Sequence, residues 1–242
     1  MAKFTSDGLV HPRDIRCNSS TQEYNLGAKA VTPDGRAFRY CLVGGTSLVA
    51  GKLYDGPATV TNHTNMAVVS GAAGSNEIVV TLGGTAATIN QYAGGVIVIN
   101  DKTGQGFTYS VKSHPAQTTT TGNLTVTLDE EEKVVTALDT TSQATLIANQ
   151  YNGIIIHADT ETGVPVGVAV TQVTNAKYGW IQTRGPVSCL CNATTGIGLG
   201  AAASDTTGSG GYEIWDGILS PIGYAVTAGV ATEYNVIFLT ID

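Results

Sequence analysis

From residue 25 onward the chain is written in short runs of Val, Ile and Thr, interrupted every 8–12 residues or so by Gly, Asn, Asp or Pro. Runs of that length are too short for stable helices, and their punctuation is that of β-sandwiches and barrels. The sequence therefore predicts an all-β protein: a β-sandwich or barrel-like base, an inserted and internally duplicated β unit, and an extended N-terminal arm. Val31-Thr32-Pro33-Asp34-Gly35-Arg36 reads as a strand entering a Pro-Asp-Gly turn, with Phe38, Tyr40 and Leu42 alternating on the return strand. Further strands are expected at Lys177–Arg184, Gly185–Cys191, Tyr224–Ala228 and Glu233–Ile241. Helix is expected only as pieces of two turns or fewer, at Ser47–Ala50, Ala86–Gln91 and Ser142–Gln150.

One similarity is internal. Asn90–Gly104 (NQYAGGVIVINDKTG) aligns without gaps to Asn149–Gly163 (NQYNGIIIHADTETG), sharing Asn, Gln, Tyr, the Gly94/Gly153 pair, Ile97/Ile156 and the closing Thr-Gly. Upstream, Asn76–Leu82 resembles Asn123–Leu128. These matches predict a duplication, 75–111 and 122–170, whose copies pack side by side as an insert spanning 71–170. Residues 25–70 and 171–242 then form a discontinuous base, preceded by an arm at 1–24. The arm lacks either regular period but carries Phe4, Leu9, Val10, Ile15 and Tyr24, candidate anchors for docking on another surface; the alternative is that it lies across its own domain. Ala201–Gly211 reads as a small-residue loop.

Only 13% of the 242 residues are charged, about half the usual share, which points to a surface covered by partners. The net charge of −7 provides no electrostatic footprint for nucleic acid. Apolar stretches such as Val96–Ile99 and Val164–Val170 are far shorter than the ~20 residues of a membrane helix, and the N-terminus lacks the apolar core of a secretion signal. The expectation is a soluble, unexported chain with no nucleic-acid or membrane partner. Cys17, Cys41, Cys189 and Cys191 have neither redox nor zinc spacing and read as small hydrophobes, with Cys189 and Cys191 on one strand face.

The search for chemistry yields no constellation. His11, His63, His114 and His157 show no metal-ligand spacing; His114 reads as a surface turn residue and His157 as a half-exposed strand residue. Asp129-Glu130-Glu131-Glu132 could offer oxygen ligands to a hard cation but lacks calcium-loop spacing, and a solvated tip explains it. Gly44-Gly45-Thr46-Ser47 lacks the ending of a phosphate loop. Gly196–Ala201 matches the loose dinucleotide pattern without a following helix, and no nucleophile elbow is present. No catalytic residue, cofactor or metal is assigned, although paired carboxylates that meet only in the fold would escape such a search.

Asp34–Tyr40, Gly44–Lys52 and Tyr178–Val187 resemble short patterns of virion structural proteins of tailed bacteriophages, specifically small β-rich capsid decoration, or cement, proteins. That resemblance implies a non-enzymatic protein made in the host cytoplasm and carried on the capsid exterior. Its partners would be the major capsid protein and further copies of itself, as a homotrimer or a homodimer. It would stabilise the shell through oligomeric, multivalent contacts. The other functions open to such a chain are a tail, fibre or host-surface-binding virion protein and a polysaccharide-active enzyme.

Overall fold

The protein is described from a computed structural model, which covers residue 11 and residues 13–160, 162–205 and 210–242. In chain order the strands are β1 (Lys29–Val31), β2 (Ala37–Val43), β3 (Leu53–Asp55), β4 (Met66–Ser70), β5 (Glu77–Thr81), β6 (Val96–Asp101), β7 (Thr108–Ser113) and β8 (Asn123–Leu128). They continue as β9 (Gln143–Ile147), β10 (Asn152–Ile156), β11 (Pro165–Ala169), β12 (Tyr178–Cys191), β13 (Gly200–Ala203), β14 (Gly211–Ile214), β15 (Pro221–Ala225) and β16 (Tyr234–Thr240). Helix among the described residues is limited to two 3-10 turns, Asp14–Arg16 and Thr61–His63. The all-β expectation is met. No helix of the described residues is long and apolar enough to cross a membrane.

The chain divides into two compact units, one formed by residues up to Ala58 together with Gln150–Asp242, the other by Thr59–Asn149. In the first unit the pairings close two rings that share β12. One ring runs β2, β10, β3, β11, β12 and back to β2; the other runs β12, β14, β13, β15, β16 and back to β12. Residues Tyr178–Arg184 of β12 lie against β2 and Arg184–Leu190 against β16, so one 14-residue strand serves both rings. The change of partner falls beside Gly185, at φ +90°, where a Cβ would stand 2.9 Å from the Arg36 side chain. Only glycine accommodates that bend without strain.

The second unit is a closed six-stranded barrel, in order β4, β5, β8, β7, β6, β9. It is built from two like halves, β4-β5-β6 and β7-β8-β9: β5 pairs with β8, β6 with β9, and β4 flanks β5 and β9 as β7 flanks β8 and β6.

All three barrels are made from one local device. A strand ends in a bend, crosses a partner arch at a single isolated bridge, and turns into the next strand. The crossings are Leu48 with Val173, Thr195 with Gly229, Gly71 with Leu138, and Ala87 with Gln117. Around seven of these eight residues the same turn recurs, the amide four residues after the bridge donating to the carbonyl one residue after it, as in Lys52 to Val49, Ser75 to Ala72, Gln91 to Thr88 and Lys177 to Thr174. Gln117 departs, its turn closing one residue later between Gly122 and Thr119. Three residues after six of the eight bridge residues the backbone enters the left-handed region, at Gly51, Gly74, Asn90, Ala176, Gly198 and Thr232.

Alternating apolar residues fill each ring. The six-stranded barrel encloses Ile78, Val80, Ile97, Ile99, Leu124, Val126 and Leu146 among others. The ring containing β16 encloses Val187, Cys189, Cys191, Tyr212, Ile237 and Leu239, and the ring containing β10 encloses Cys41, Leu48, Tyr54, Ile154 and Ile181. Each fully buried Leu, Ile or Val contributes roughly 1.5–3 kcal/mol.

Three expectations are corrected. Ser142–Gln150 is no helix: Ala144 and Leu146 point inward while Gln143, Thr145 and Ile147 are half-buried, the period-2 pattern of β9. Ser47–Ala50 and Ala86–Gln91 are not helical but crossing turns. The insert occupies 59–149 rather than 71–170, and the two NQY-x-G segments fall in different units, β6 in one and β10 in the other. Their likeness records a common entry into a strand, with Gly94 at φ +72° and Gly153 at φ +86°. The structural repeat is β4-β5-β6 against β7-β8-β9. Within it the similar segments Asn76–Leu82 and Asn123–Leu128 are neighbours, Ile78 opposite Val126 and Val80 opposite Leu124.

Candidate functional site

Of the arm anchors, Phe4, Leu9 and Val10 lie outside the described residues. Ile15 and Tyr24 are docked on their own unit. Ile15 is 2% exposed within a cluster with Phe38, Tyr40 and Trp180, and the Tyr24 ring lies 5.2 Å from that of Tyr40 and 5.4 Å from that of Trp180. Ser19 exchanges both backbone hydrogen bonds with Tyr178. From Ile15 to Tyr24 the arm lies across its own domain, so these two side chains are not free contact residues.

The histidines also differ from expectation. His114 is buried: its Nε2 accepts from the Tyr92 amide at 3.0 Å and its Nδ1 donates to the Pro115 carbonyl at 2.8 Å, and burial holds it below its ordinary pKa. His63 donates from Nε2 to the Thr85 carbonyl at 2.9 Å, while its Nδ1 faces the Tyr92 hydroxyl. This His63-Tyr92-His114 group is internally satisfied and fixes loops to the barrel of the second unit. His157 is 1% exposed, with Nδ1 3.0 and 2.9 Å from the two oxygens of Asp55 and Nε2 3.1 Å from the Ser204 carbonyl. Because β10 runs between β2 and β3, the residue that follows it is carried inside rather than left at an edge.

The remaining candidates carry no assembled chemistry. Asp129, Glu130 and Glu131 are exposed; Glu130 pairs with Lys112, and Glu132 accepts from the Ser110 amide and hydroxyl. Among the described residues no group of three or more His, Cys, Asp or Glu side chains is placed to hold a metal. Gly196–Ala201 forms a crossing turn into β13. Cys41 and Cys189 are buried thiols pushed up to about 12, chemically quiet at neutral pH, and Cys189 and Cys191 share the interior face. Ala201–Ala203 and Gly211–Ile214 are strands rather than loop, because both lie between paired neighbours.

What stands out is a surface. Of the 15 large apolar side chains that are exposed among the described residues, nine fall between Ile197 and Tyr234: Ile197, Leu199, Ile214, Trp215, Ile218, Tyr224, Val226, Val230 and Tyr234. Within this stretch β15 and β16 turn Ile222, Ile237 and Leu239 inward and their aromatic residues Tyr224 and Phe238 outward. Gly200 lies opposite Tyr224, Tyr224 opposite Phe238, and Phe238 opposite Pro186. At one end of this row Trp215 packs over Gly200, its amide bonded to the Gly200 carbonyl at 2.9 Å. Tyr224 and Phe238 stack in parallel at 5.3 Å, and Val226 and Val236 extend the row along the same face. Trp215 is 49% and Tyr224 44% exposed, so both present flat aromatic area to whatever lies outside.

The segment that supplies this face is acidic in composition. No Lys or Arg follows Arg184, whereas Asp205, Glu213, Asp216, Glu233 and Asp242 do. Of these, Asp242 is paired with Arg39 and Lys29, and Glu213 accepts from the Ser204 hydroxyl. Comparison with protein-family models, with curated proteins and with solved structures finds no match to the chain.

Proposed function

We propose that the chain is a non-enzymatic structural protein that works by assembly, attaching to the outer surface of a phage capsid and stabilising it through repeated contacts of an oligomer. The observation that supports this reading is the apolar outer face of β15 and β16 with Trp215 beside it. An exposed aromatic row on a chain so poor in charge is the composition of an interface core. The short patterns that resemble those of capsid decoration proteins, Asp34–Tyr40, Gly44–Lys52 and Tyr178–Val187, lie on strands and turns of the same unit. Attachment in a lattice needs little affinity per site, because a second contact made by the same oligomer is intramolecular.

The test is the mass of the purified protein in solution together with its co-sedimentation with phage capsids, for the natural chain and for Trp215→Glu with Tyr224→Glu. Both side chains are exposed, so the variant keeps its core. An oligomer that sediments with capsids, and a variant that loses one or both properties, supports the proposal. A monomer that stays in the supernatant overturns it.

A further inference from the structure

On the edge of β12 away from β16, β11 pairs only at Ile181 and Gln182, and β14 only at Leu190 and Cys191. Between these points no strand of the described residues pairs with that edge, and a cleft of about 410 Å³ opens there, within the first unit. The direction of the backbone is set by its ends. The Leu190 amide donates to Gly51 and so points away from β16; Ser188, two residues earlier on the same strand, points the same way. Its N–H and C=O face the cleft as a free strand edge.

Gln182 marks the same gap. Its side chain is buried and runs along the opening, Nε2 donating to the Arg184 and Pro186 carbonyls at 3.0 Å each, two acceptors that a neighbouring strand would otherwise take. Carbonyls only accept, so the amide orientation is fixed, and Oε1 is left as the one buried side-chain oxygen or nitrogen without a partner among the described residues. Arg16 and Arg36 line the cleft, and among the described residues no carboxylate does; Arg36 is paired through Nε with Asp34 at 2.8 Å, whereas Arg16 has no ion-pair partner among those residues. In a chain of net charge −7 the lining is cationic.

We infer that this cleft binds an extended, acidic segment of another polypeptide, whose main chain pairs with Ser188 and whose carboxylate meets Arg16 and Arg36. Strand addition of this kind takes affinity from main-chain hydrogen bonds and selectivity from the side chains between them. Ala169, Val170 and Tyr234 supply an apolar wall for the alternate side chains. The inference is independent of attachment to a capsid, since it concerns the cleft beside Ser188 rather than Trp215 and Tyr224, and a soluble ligand.

The probe is a fluorescein-labelled N-acetyl-Thr-Val-Glu-Val-Thr-amide titrated against the full chain and read by anisotropy, with hydrogen exchange of the 184–190 segment measured alongside. The expected result is saturable binding with slowed exchange at Ser188. Replacing the peptide's Glu by Lys, or methylating its central amides, should weaken binding at least tenfold. Arg16→Glu, an exposed change, should do the same without shifting the melting temperature. No saturable binding up to millimolar peptide, equal binding of the Lys peptide, or equal binding of the methylated peptide would each overturn the inference.

Discussion

Asp55 and His157 face each other in the interior of the first unit, the Nδ1 of the imidazole 2.9 Å from one carboxylate oxygen and 3.0 Å from the other. Nε2 of the same ring points at the Ser204 carbonyl, also an acceptor. With Nε2–H donating to that carbonyl, Nδ1 and the Asp55 carboxyl group share the one remaining proton in a buried acid–imidazole pair. It joins the end of β10 to β3 and to the residue following β13, and so ties elements of the two rings that share β12. Removing one partner leaves the other buried without its counterpart, at a cost of about 3–5 kcal/mol. Asp55→Asn and His157→Gln should each lower stability by that order in urea unfolding, and Asp55→Leu combined with His157→Leu by clearly less than the sum. Single variants that lose under about 1 kcal/mol would show that the pair carries no such coupling.

The crossing turns make a second prediction. At the left-handed position three residues past the bridge, most copies have Gly or Asn, but Thr232 holds φ +72° with a β-branched side chain, which costs on the order of 1–2 kcal/mol. Thr232 is exposed, and its hydroxyl makes no hydrogen bond among the described residues. Thr232→Gly should raise the melting temperature by a few degrees, whereas Thr232→Val should not. A variant with Gly that melts lower would mean that the added freedom of the unfolded chain outweighs the strain relieved.

How far the sequence carries is seen in particular residues. The hairpin at Val31–Phe38 was legible because turn chemistry is local: Pro33-Asp34-Gly35 sets its geometry, and Gly35 takes φ +82°. The strand at Tyr234–Thr240 was legible because its neighbours are apolar on both sides. The crossings were not, since the device is made of backbone. The segments L-V-A-G, A-T-I-N, V-T-N-A and G-V-A-T share its hydrogen bonds but have no residue common to all four at any one position, and two copies read as short helix. The burial of His114 and His157 depends on which strands flank them, β10 lying between β2 and β3 from more than 90 residues earlier in the chain. The apolar row Trp215, Tyr224, Phe238, Pro186 comes from four separate strands or their ends, so no window of sequence contains it.

In the second unit, His114 supplies a pH dependence of definite sign. Its Nε2 must stay unprotonated to accept the Tyr92 amide, and burial keeps the ring below its ordinary 6.5. The unfolded chain therefore takes up a proton before the folded one does as pH falls. Stability is full above about 6.5 and declines as pH drops through the lower folded value. Melting temperatures measured at pH 7.5 and pH 5.5 should differ more for the natural chain than for His114→Asn. An equal pH dependence in the two proteins would place the titration elsewhere.

Asp242 offers the opposite case, a carboxylate whose value is lowered. Arg39 donates to both of its oxygens, at 2.9 and 2.7 Å, Lys29 stands 3.2 Å away, and these partners hold it at about 2 against an ordinary 3.8. Arg39 lies on β2, and Asp242, just past β16, also accepts from Thr183 of β12, so the cluster pins the chain after β16 across the shared strand. The stabilisation is fully present above about pH 4 and is lost as pH falls through about 2. Because these groups are partly exposed, the shift is discounted for screening to about 1–2 kcal/mol. Asp242→Asn should cost that amount at pH 7. The gap between variant and natural chain should narrow toward pH 2, and 1 M salt should shrink it at pH 7. A gap unchanged from pH 7 to pH 2 would assign the loss to packing rather than to the charge on the carboxylate.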